Sequence, residues 1–149
     1  MEITIEYATA GLLDELYKIE RQCFQLEAFS KSQLRALLSD YNSVGLAAMV
    51  NYQLAGFIIG TIEFDRSASV GHILTIEVAP NFQRKGIAQK LLQSIEAIFR
   101  AQAITACYLE VREDNTAALK LYEKAGYKKE AKLANYYPSG HGLRLKKNL

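Results

Sequence analysis

Gln83-Arg84-Lys85-Gly86-Ile87-Ala88 is the stretch on which the reading of this chain turns. It separates two segments of different period. Before it, His72 to Val78 is an apolar, strand-like run closed by Ala79-Pro80. After it, Ala88 to Ala101 carries Leu91, Leu92, Ile95, Ile98 and Phe99 as one helical stripe. A strand, a short basic glycine turn and a helix start together make a site for a phosphate group. The backbone N–H groups of the turn and first helical turn lack internal partners, and the helix dipole adds positive potential there. Gly86 lets the backbone approach an anion closely, Ala88 keeps the next turn slim, and Arg84 and Lys85 add mobile positive charge. Neither a Walker loop nor a GxGxxG dinucleotide fingerprint is present. By itself the turn also fits a plain strand-to-helix connection.

Upstream, Ile3, Ile5 and Tyr7 alternate with polar residues, which predicts a half-buried strand. Thr9 is placed to cap a helix with Leu12, Leu13, Leu16 and Ile19 on one face. Gln22 to Phe29 breaks that period while carrying Cys23, Phe24, Leu26 and Phe29, either as core packing or as one wall of a substrate groove. Ser30 and Gln33 fit a capping box ahead of a short helix with Leu34, Leu37 and Leu38. Val44 to Val50 and Leu54 to Phe64 read as a hairpin about the turn Asn51-Tyr52-Gln53, with Gly56 and Gly60 marking a bulge or close packing, and Asp65 to Ser69 reads as a polar turn.

In the strand before the phosphate turn, alternation places His72, Leu74, Ile76 and Val78 on one face and Ile73, Thr75 and Glu77 on the other. Downstream, Ile104 to Arg112 is a strand with Tyr108, Glu110 and Arg112 on one face. Asp114 or Asn115 caps a helix over Thr116 to Ala125, which stops at Gly126. Tyr127 to Tyr136 and Gly142 to Lys147 form a last strand pair around the loop Tyr137 to His141. The order β-α-α-β-β-β-α-β-α-β-β predicts an α/β fold, a mixed sheet with helices on its faces.

The chain of 149 residues is half hydrophobic, enough for the core of a single domain over residues 1–149. Its 18 basic and 16 acidic residues leave a net charge of +2, too balanced to argue for a nucleic-acid partner. Cys23 and Cys107 form neither a CxxC nor a Cys/His metal spacing; they read as two buried thiols, with a disulfide between them as the alternative. No signal pattern opens the chain and no apolar run is long enough to span a bilayer, so a cytoplasmic protein without a membrane partner is the expectation.

Three stretches resemble the GNAT superfamily of acetyl-coenzyme A-dependent N-acetyltransferases. The first is Ile76-Glu77-Val78-Ala79-Pro80 with Gln83 to Ala88, similar to the family's pyrophosphate loop. The second is Leu109-Glu110-Val111-Arg112-Glu113-Asp114-Asn115. The third is Ala117-Ala118-Leu119-Lys120-Leu121-Tyr122-Glu123-Lys124-Ala125-Gly126-Tyr127. Within the superfamily, Leu109 to Arg112, Leu121 to Lys124, Asn135-Tyr136-Tyr137-Pro138 and Gly71-His72-Ile73 resemble the RimI branch and its archaeal relatives, which acetylate protein N-terminal α-amines.

The resemblance implies acetyl-CoA held in a splay between two parallel central strands. Backbone groups of Ile76, Glu77 and Val78 would hold its pantetheine arm, Gln83, Arg84, Lys85, Gly86, Ile87 and Ala88 its pyrophosphate, and Asn115, Ala118 and Tyr122 would complete the cofactor site. It also implies Glu110 as base, His72 as a second catalytic group and Tyr122 as the acid beside the sulfur, with Phe24, Glu27, Tyr136 and Tyr137 around the acceptor. Each has a plainer alternative. Glu110 would be a strand carboxylate, His72 a ring bonded to neighbouring backbone, Tyr122 a cover for the core, Asn115 a helix cap, Glu27 a solvated carboxylate, and the two tyrosines a filled sheet edge. The implied acceptor is a protein N-terminus, a ribosomal protein among the candidates, with a monomer as the default. A small-molecule amine, a lysine side chain, or a regulatory module that binds acyl-CoA without turnover are the alternatives. One departure concerns the acceptor: Ser139-Gly140-His141-Gly142 stands where the family usually has an acidic residue near an alanine.

Overall fold

The computed structural model describes residues 1–24, 27–66 and 68–149. Seven strands form one sheet: β1 (Ile3–Tyr7), β2 (Ser43–Val50), β3 (Gln53–Asp65), β4 (Ala68–Val78), β5 (Ala106–Arg112), β6 (Lys128–Tyr137) and β7 (Gly140–Asn148). Their spatial order is β1-β2-β3-β4-β5-β7-β6. Four helices pack on the faces: α1 (Leu13–Cys23), α2 (Lys31–Ser39), α3 (Ile87–Ala101) and α4 (Thr116–Lys124). Apart from two short 3-10 turns, this is the expected element order.

The apolar side chains divide into two layers, as a sheet covered on both faces requires. One buries Leu91, Leu92, Ile95 and Phe99 of α3 against Ile58, Ile73, Leu109 and Val111. The other buries Leu13, Leu16 and Ile19 of α1 and Leu34 of α2 against Phe57 and Ile59. Cys23 and Phe29 join this second layer, so part of the Gln22–Phe29 segment is core packing. Leu26 of that segment lies outside the described residues. Both cysteines are free thiols.

Local signals are realised where their partners are close in sequence. Ser30 Oγ accepts from the Gln33 N–H at 3.1 Å and Gln33 Oε1 from the Ser30 N–H at 2.8 Å, completing the capping box. Asn51 and Tyr52 both take positive φ, the backbone of a two-residue type I′ hairpin turn. A Cβ on Gly56 would lie 2.6 Å from the Glu77 carbonyl and one on Gly60 would lie 2.9 Å from Ile95, so both glycines mark close packing.

Thr9 differs: it precedes the turn Ala10–Leu12 and its side chain makes no capping bond, only its carbonyl being used. The turn expected at Asp65–Ser69 is tighter, because Asp65 pairs with Ala68; Ser67 lies outside the described residues. The loop expected at Tyr137–His141 shrinks to Pro138-Ser139, since Tyr137 pairs with Gly140.

The largest correction lies in β4. Gly60 of β3 pairs with Ile73 and Ile59 with Thr75, so Leu74 is an extra residue, a bulge. Alternation resets across it. Ile73, Ile76 and Val78 face the α3 layer, whereas His72, Thr75 and Glu77 face the α1 side. The expected grouping of His72 with Ile76 and Val78 is therefore wrong, because an even-period count cannot see an inserted residue.

The parallel pair β4–β5 is short. Gly71, His72 and Ile73 pair with Cys107, Tyr108 and Leu109, and no pairing follows. Beyond Ile73 and Leu109 the two strands part, and this splay opens toward the phosphate turn.

No helix among the described residues is long and apolar enough to cross a membrane.

Candidate active site

Bulge and splay together bring His72 against β5. Its Nε2 lies 2.7 Å from Glu110 Oε1, and its Nδ1 lies 2.7 Å from Glu63 Oε2. The ring stacks on Tyr108, with centroids 4.1 Å apart. Burial draws the His72 pKa down, but the Glu110 and Glu63 carboxyl groups outweigh it and leave it raised above the ordinary value. His72 thus bonds two carboxyl groups and not neighbouring backbone.

Glu110 also lines a cavity of about 260 Å³ within the splay, just beyond the last paired residues of β4 and β5. Phe24 and Glu27 border it from the α1–α2 connection, Tyr122 from α4, and Tyr136 and Tyr137 from the end of β6. Tyr122 is buried; desolvation, with Glu77 and Tyr137 nearby, pushes its phenol well above the usual range, so the hydroxyl keeps its proton. Tyr136 and Tyr137 meet edge to face at 4.9 Å. Glu27 is no free carboxylate: it accepts from Arg112 Nη1 at 2.7 Å. Arg112 also donates to Asp114, to Ser139 Oγ and to the Ser139 carbonyl, and lies over the Tyr137 ring. This guanidinium ties the α1–α2 connection to the β6–β7 turn. A Cβ on Gly140 would meet Arg112 Nη2 at 2.6 Å. The atypical Ser139-Gly140 pair therefore serves as the seat of Arg112.

The turn Gln83–Ala88 has the local backbone form its sequence predicts. Gly86 caps α3 at φ +80° and Arg84 is also left-handed at φ +63°. The first α3 bond runs from the Lys90 N–H to the Gly86 carbonyl, which leaves the N–H groups of Ile87, Ala88 and Gln89 without an intrahelical acceptor. Ile87 is buried and anchors the helix, so only its backbone faces outward, while Arg84 and Lys85 are exposed. Gln83 pins the turn to the splayed strand through Nε2 to the Val78 carbonyl at 3.1 Å. Free N–H groups, an open glycine and two mobile cations fit a pyrophosphate. Asn115 caps α4 by accepting from the Ala118 N–H at 3.1 Å, and both residues border the cavity.

Glu77 turns its side chain away from the α3 layer that Ile76 and Val78 face, leaving only its backbone beside the splay. Its side chain is buried on the α1 side, where Thr75 Oγ1 bonds both Glu77 and Glu20. The second Glu77 oxygen has no partner among the described residues. Burial pushes its carboxyl well above the usual range, with Glu20 adding to the rise. A carboxyl raised in the folded state loses stability as pH climbs above its unfolded value of 4.5. Glu77→Gln keeps an N–H to offer Glu20 and removes this loss. The variant is expected to match the wild type near pH 4 and to gain on it by up to about 1.4 kcal/mol per pH unit above that. Urea midpoints between pH 4 and 8 measure this; parallel pH curves for the two proteins would disprove it.

Sequence reading missed Glu63, Glu20 and Arg112. Glu63 is a charge within an apolar strand, the same signal that singled out Glu110. Glu20 falls four residues after Leu16 on the buried face of α1. Of the Arg112 partners only Asp114 is local; Glu27 and Ser139 come from distant segments, so nothing nearby in sequence marks the link between them.

Residues 13–127 match the Acetyltransferase (GNAT) family. The chain is 31% identical over 151 residues to an N-alpha-acetyltransferase of Saccharolobus solfataricus, covering 93% of this chain and 88% of that one. It is 32% identical over 90 residues to the ribosomal protein bS18-alanine N-acetyltransferase of Salmonella typhimurium, covering 60% and 58% of the two chains. Among solved structures, Ard1 from Thermoplasma volcanium superposes with a TM-score of 0.89 at 25% identity, covering 100% of this chain and 99% of that one.

Proposed function

Because the chain belongs to the GNAT acetyltransferase family and is an acetyl-CoA-dependent N-acetyltransferase, we propose that its acceptor is the N-terminal α-amine of a protein. The observation that carries this reading is the cavity where Glu110 meets Phe24, Glu27, Tyr136 and Tyr137, strapped by the Arg112–Glu27 pair. It is a space of about 260 Å³ within the splay, suited to one terminal residue with its chain leading outward between aromatic walls. The full-length similarity to a protein named N-alpha-acetyltransferase supports it. A ribosomal protein is the finer candidate, from the relative that acts on bS18.

Acetyl-CoA supplies an activated acetyl thioester, which yields to a neutral amine with departure of the CoA thiol. The turn Gln83–Ala88 holds the pyrophosphate through the free N–H groups of α3. Backbone groups of Ile76 to Val78 hold the pantetheine arm, with the Val78 carbonyl already used by Gln83, and Asn115 and Ala118 complete its wall. Glu110 accepts the amine's proton while His72 holds the carboxylate in place. Tyr122, its phenol kept protonated by burial, supplies a proton to the departing sulfur. A free α-amine has a pKa of about 7.7–8.0, so a minority is already neutral at pH 7 and the protein completes the deprotonation.

Incubated with acetyl-CoA, the protein is expected to release CoA thiol with peptides bearing a free N-terminus, and not with polyamines or N-terminally blocked lysine peptides. Absence of thiol release with every free-N-terminus peptide would remove this reading.

A further inference from the structure

The geometry points to Glu63 as a third member of the proton-handling group: from the far side of His72 it fixes the proton on Nδ1, balances the ring's charge and so leaves Glu110 able to take up the amine's proton. This rests on the reading of Glu110 as the base.

Glu63 sits on β3 and reaches across to His72 on β4. Its carboxyl accepts from Tyr108 OH at 2.6 Å and from Thr61 Oγ1 at 3.2 Å, in addition to facing His72 Nδ1 at 2.7 Å. A group that takes hydroxyl donors on both oxygens is serving as an ionised acceptor. Nδ1 must then be the donor, which fixes the tautomer. The opposite contact, Nε2 to Glu110 Oε1, is equally short and also needs a proton between its atoms. Protons on both sides make the ring an imidazolium or its equivalent, with a carboxylate on each flank. The trio carries a net negative charge only because Glu63 is there. Without it the ring either keeps its charge and cancels Glu110, or sheds its second proton and with it the hydrogen bond that holds Glu110 in place.

The surroundings support this arrangement. Burial pushes the Glu63 carboxyl up, but Tyr108 and His72 outweigh it and leave it below the ordinary value. Among the described residues the other charged or titratable groups around the trio are Tyr108 on β5, Arg144 on β7, whose guanidinium lies 4.1 Å from the centre of the Tyr108 ring, and Tyr136 and Tyr137 on β6. Glu63 is partly exposed and opens on a separate cavity bordered by Tyr108, Glu130 and Arg144. His72 thus bridges the acceptor cavity and a solvent-facing one.

In the transfer step one N–H bond of the ammonium breaks and one O–H bond forms on Glu110. Glu63 touches neither the acceptor nor the donor, so it is a positioning residue. Glu63→Gln tests it, since the amide oxygen can still accept from Nδ1–H while the charge is gone. The imidazole signals of His72 and His141, the two histidines of the chain, are followed by NMR across pH without substrate. The His72 midpoint is expected to fall by about 1 to 3 pH units in Glu63→Gln. Glu63→Asp, which keeps the charge, is expected to stay closer to the wild type. Using whichever amine the wild-type enzyme accepts, kcat is expected to fall about tenfold or more, one pH unit of basicity being a factor of ten, with KM for acetyl-CoA unchanged. An unmoved His72 midpoint overturns the proposal, and so does a moved midpoint with full kcat. Failure of the α-amine reading would appear in the wild-type acceptor panel, and failure of this one only in the variants.

Discussion

Glu110→Gln is expected to lower kcat at pH 7 by about 10²- to 10⁴-fold, the usual worth of a positioned general base. Glutamine keeps the volume of the side chain and a group to meet His72 Nε2, so the change is confined to proton affinity. Only one Glu110 oxygen is engaged, that facing His72. The other has no hydrogen bond among the described residues, and Glu110 lines the cavity that an incoming amine would enter. The deficit is expected to narrow at pH 9. There an α-amine of pKa about 7.7–8.0 is mostly neutral before it binds, and a base has less to contribute. KM for acetyl-CoA is expected to stay near the wild-type value, because the phosphate turn lies at the opposite end of the splay. A deficit that stays flat from pH 7 to pH 9 would remove Glu110 as the base, and an unchanged kcat would remove it from the reaction.

What could be read before folding, and what could not, follows the range of the interactions. The phosphate turn was legible because everything that makes it is local: Gly86 at the αL position, Ile87 as anchor and the unpaired N–H groups all lie within seven residues of Gln83. The capping box at Ser30 and the Asn115 cap were legible for the same reason. Residue identity also exposed Glu110, since a charge inside an apolar strand asks for a partner. The partner itself was hidden. Glu63, His72 and Glu110 meet only because the Leu74 bulge moves His72 to the α1 face and the short parallel register sets it beside Tyr108. Neither event leaves a mark in an alternation count. The Arg112 strap was hidden more deeply, because Glu27 and Ser139 lie 85 and 27 residues from it. A departure from the family pattern at Ser139-Gly140 reads from sequence as a lost acidic group. In the fold it is a small, carbonyl-bearing seat for a guanidinium.

Gly86→Trp is expected to weaken acetyl-CoA binding by at least about 100-fold, close to 3 kcal/mol, while leaving the protein folded. The size follows from what the turn offers. A hydrogen bond from a backbone N–H to a charged oxygen contributes about 1.5–3 kcal/mol, and displacing a pyrophosphate from the α3 terminus removes more than one. The substitution is informative because the protein itself has little objection to the bulk. A Cβ built on Gly86 meets nothing within 4 Å, so the indole would project into the space that a bound phosphate needs. The backbone does object, since φ is +80° there, and any L-residue at that angle costs roughly 1–2 kcal/mol. Gly86→Ala separates the two effects. It carries the same backbone strain with almost no added volume, so it is expected to lower the melting temperature about as much as Gly86→Trp while keeping most of the affinity. Calorimetric titration of acetyl-CoA into the wild type and both variants gives the comparison. Equal losses in the alanine and tryptophan variants would mean that backbone conformation and not occupied space governs binding. An unchanged affinity in Gly86→Trp would place the pyrophosphate somewhere other than this turn.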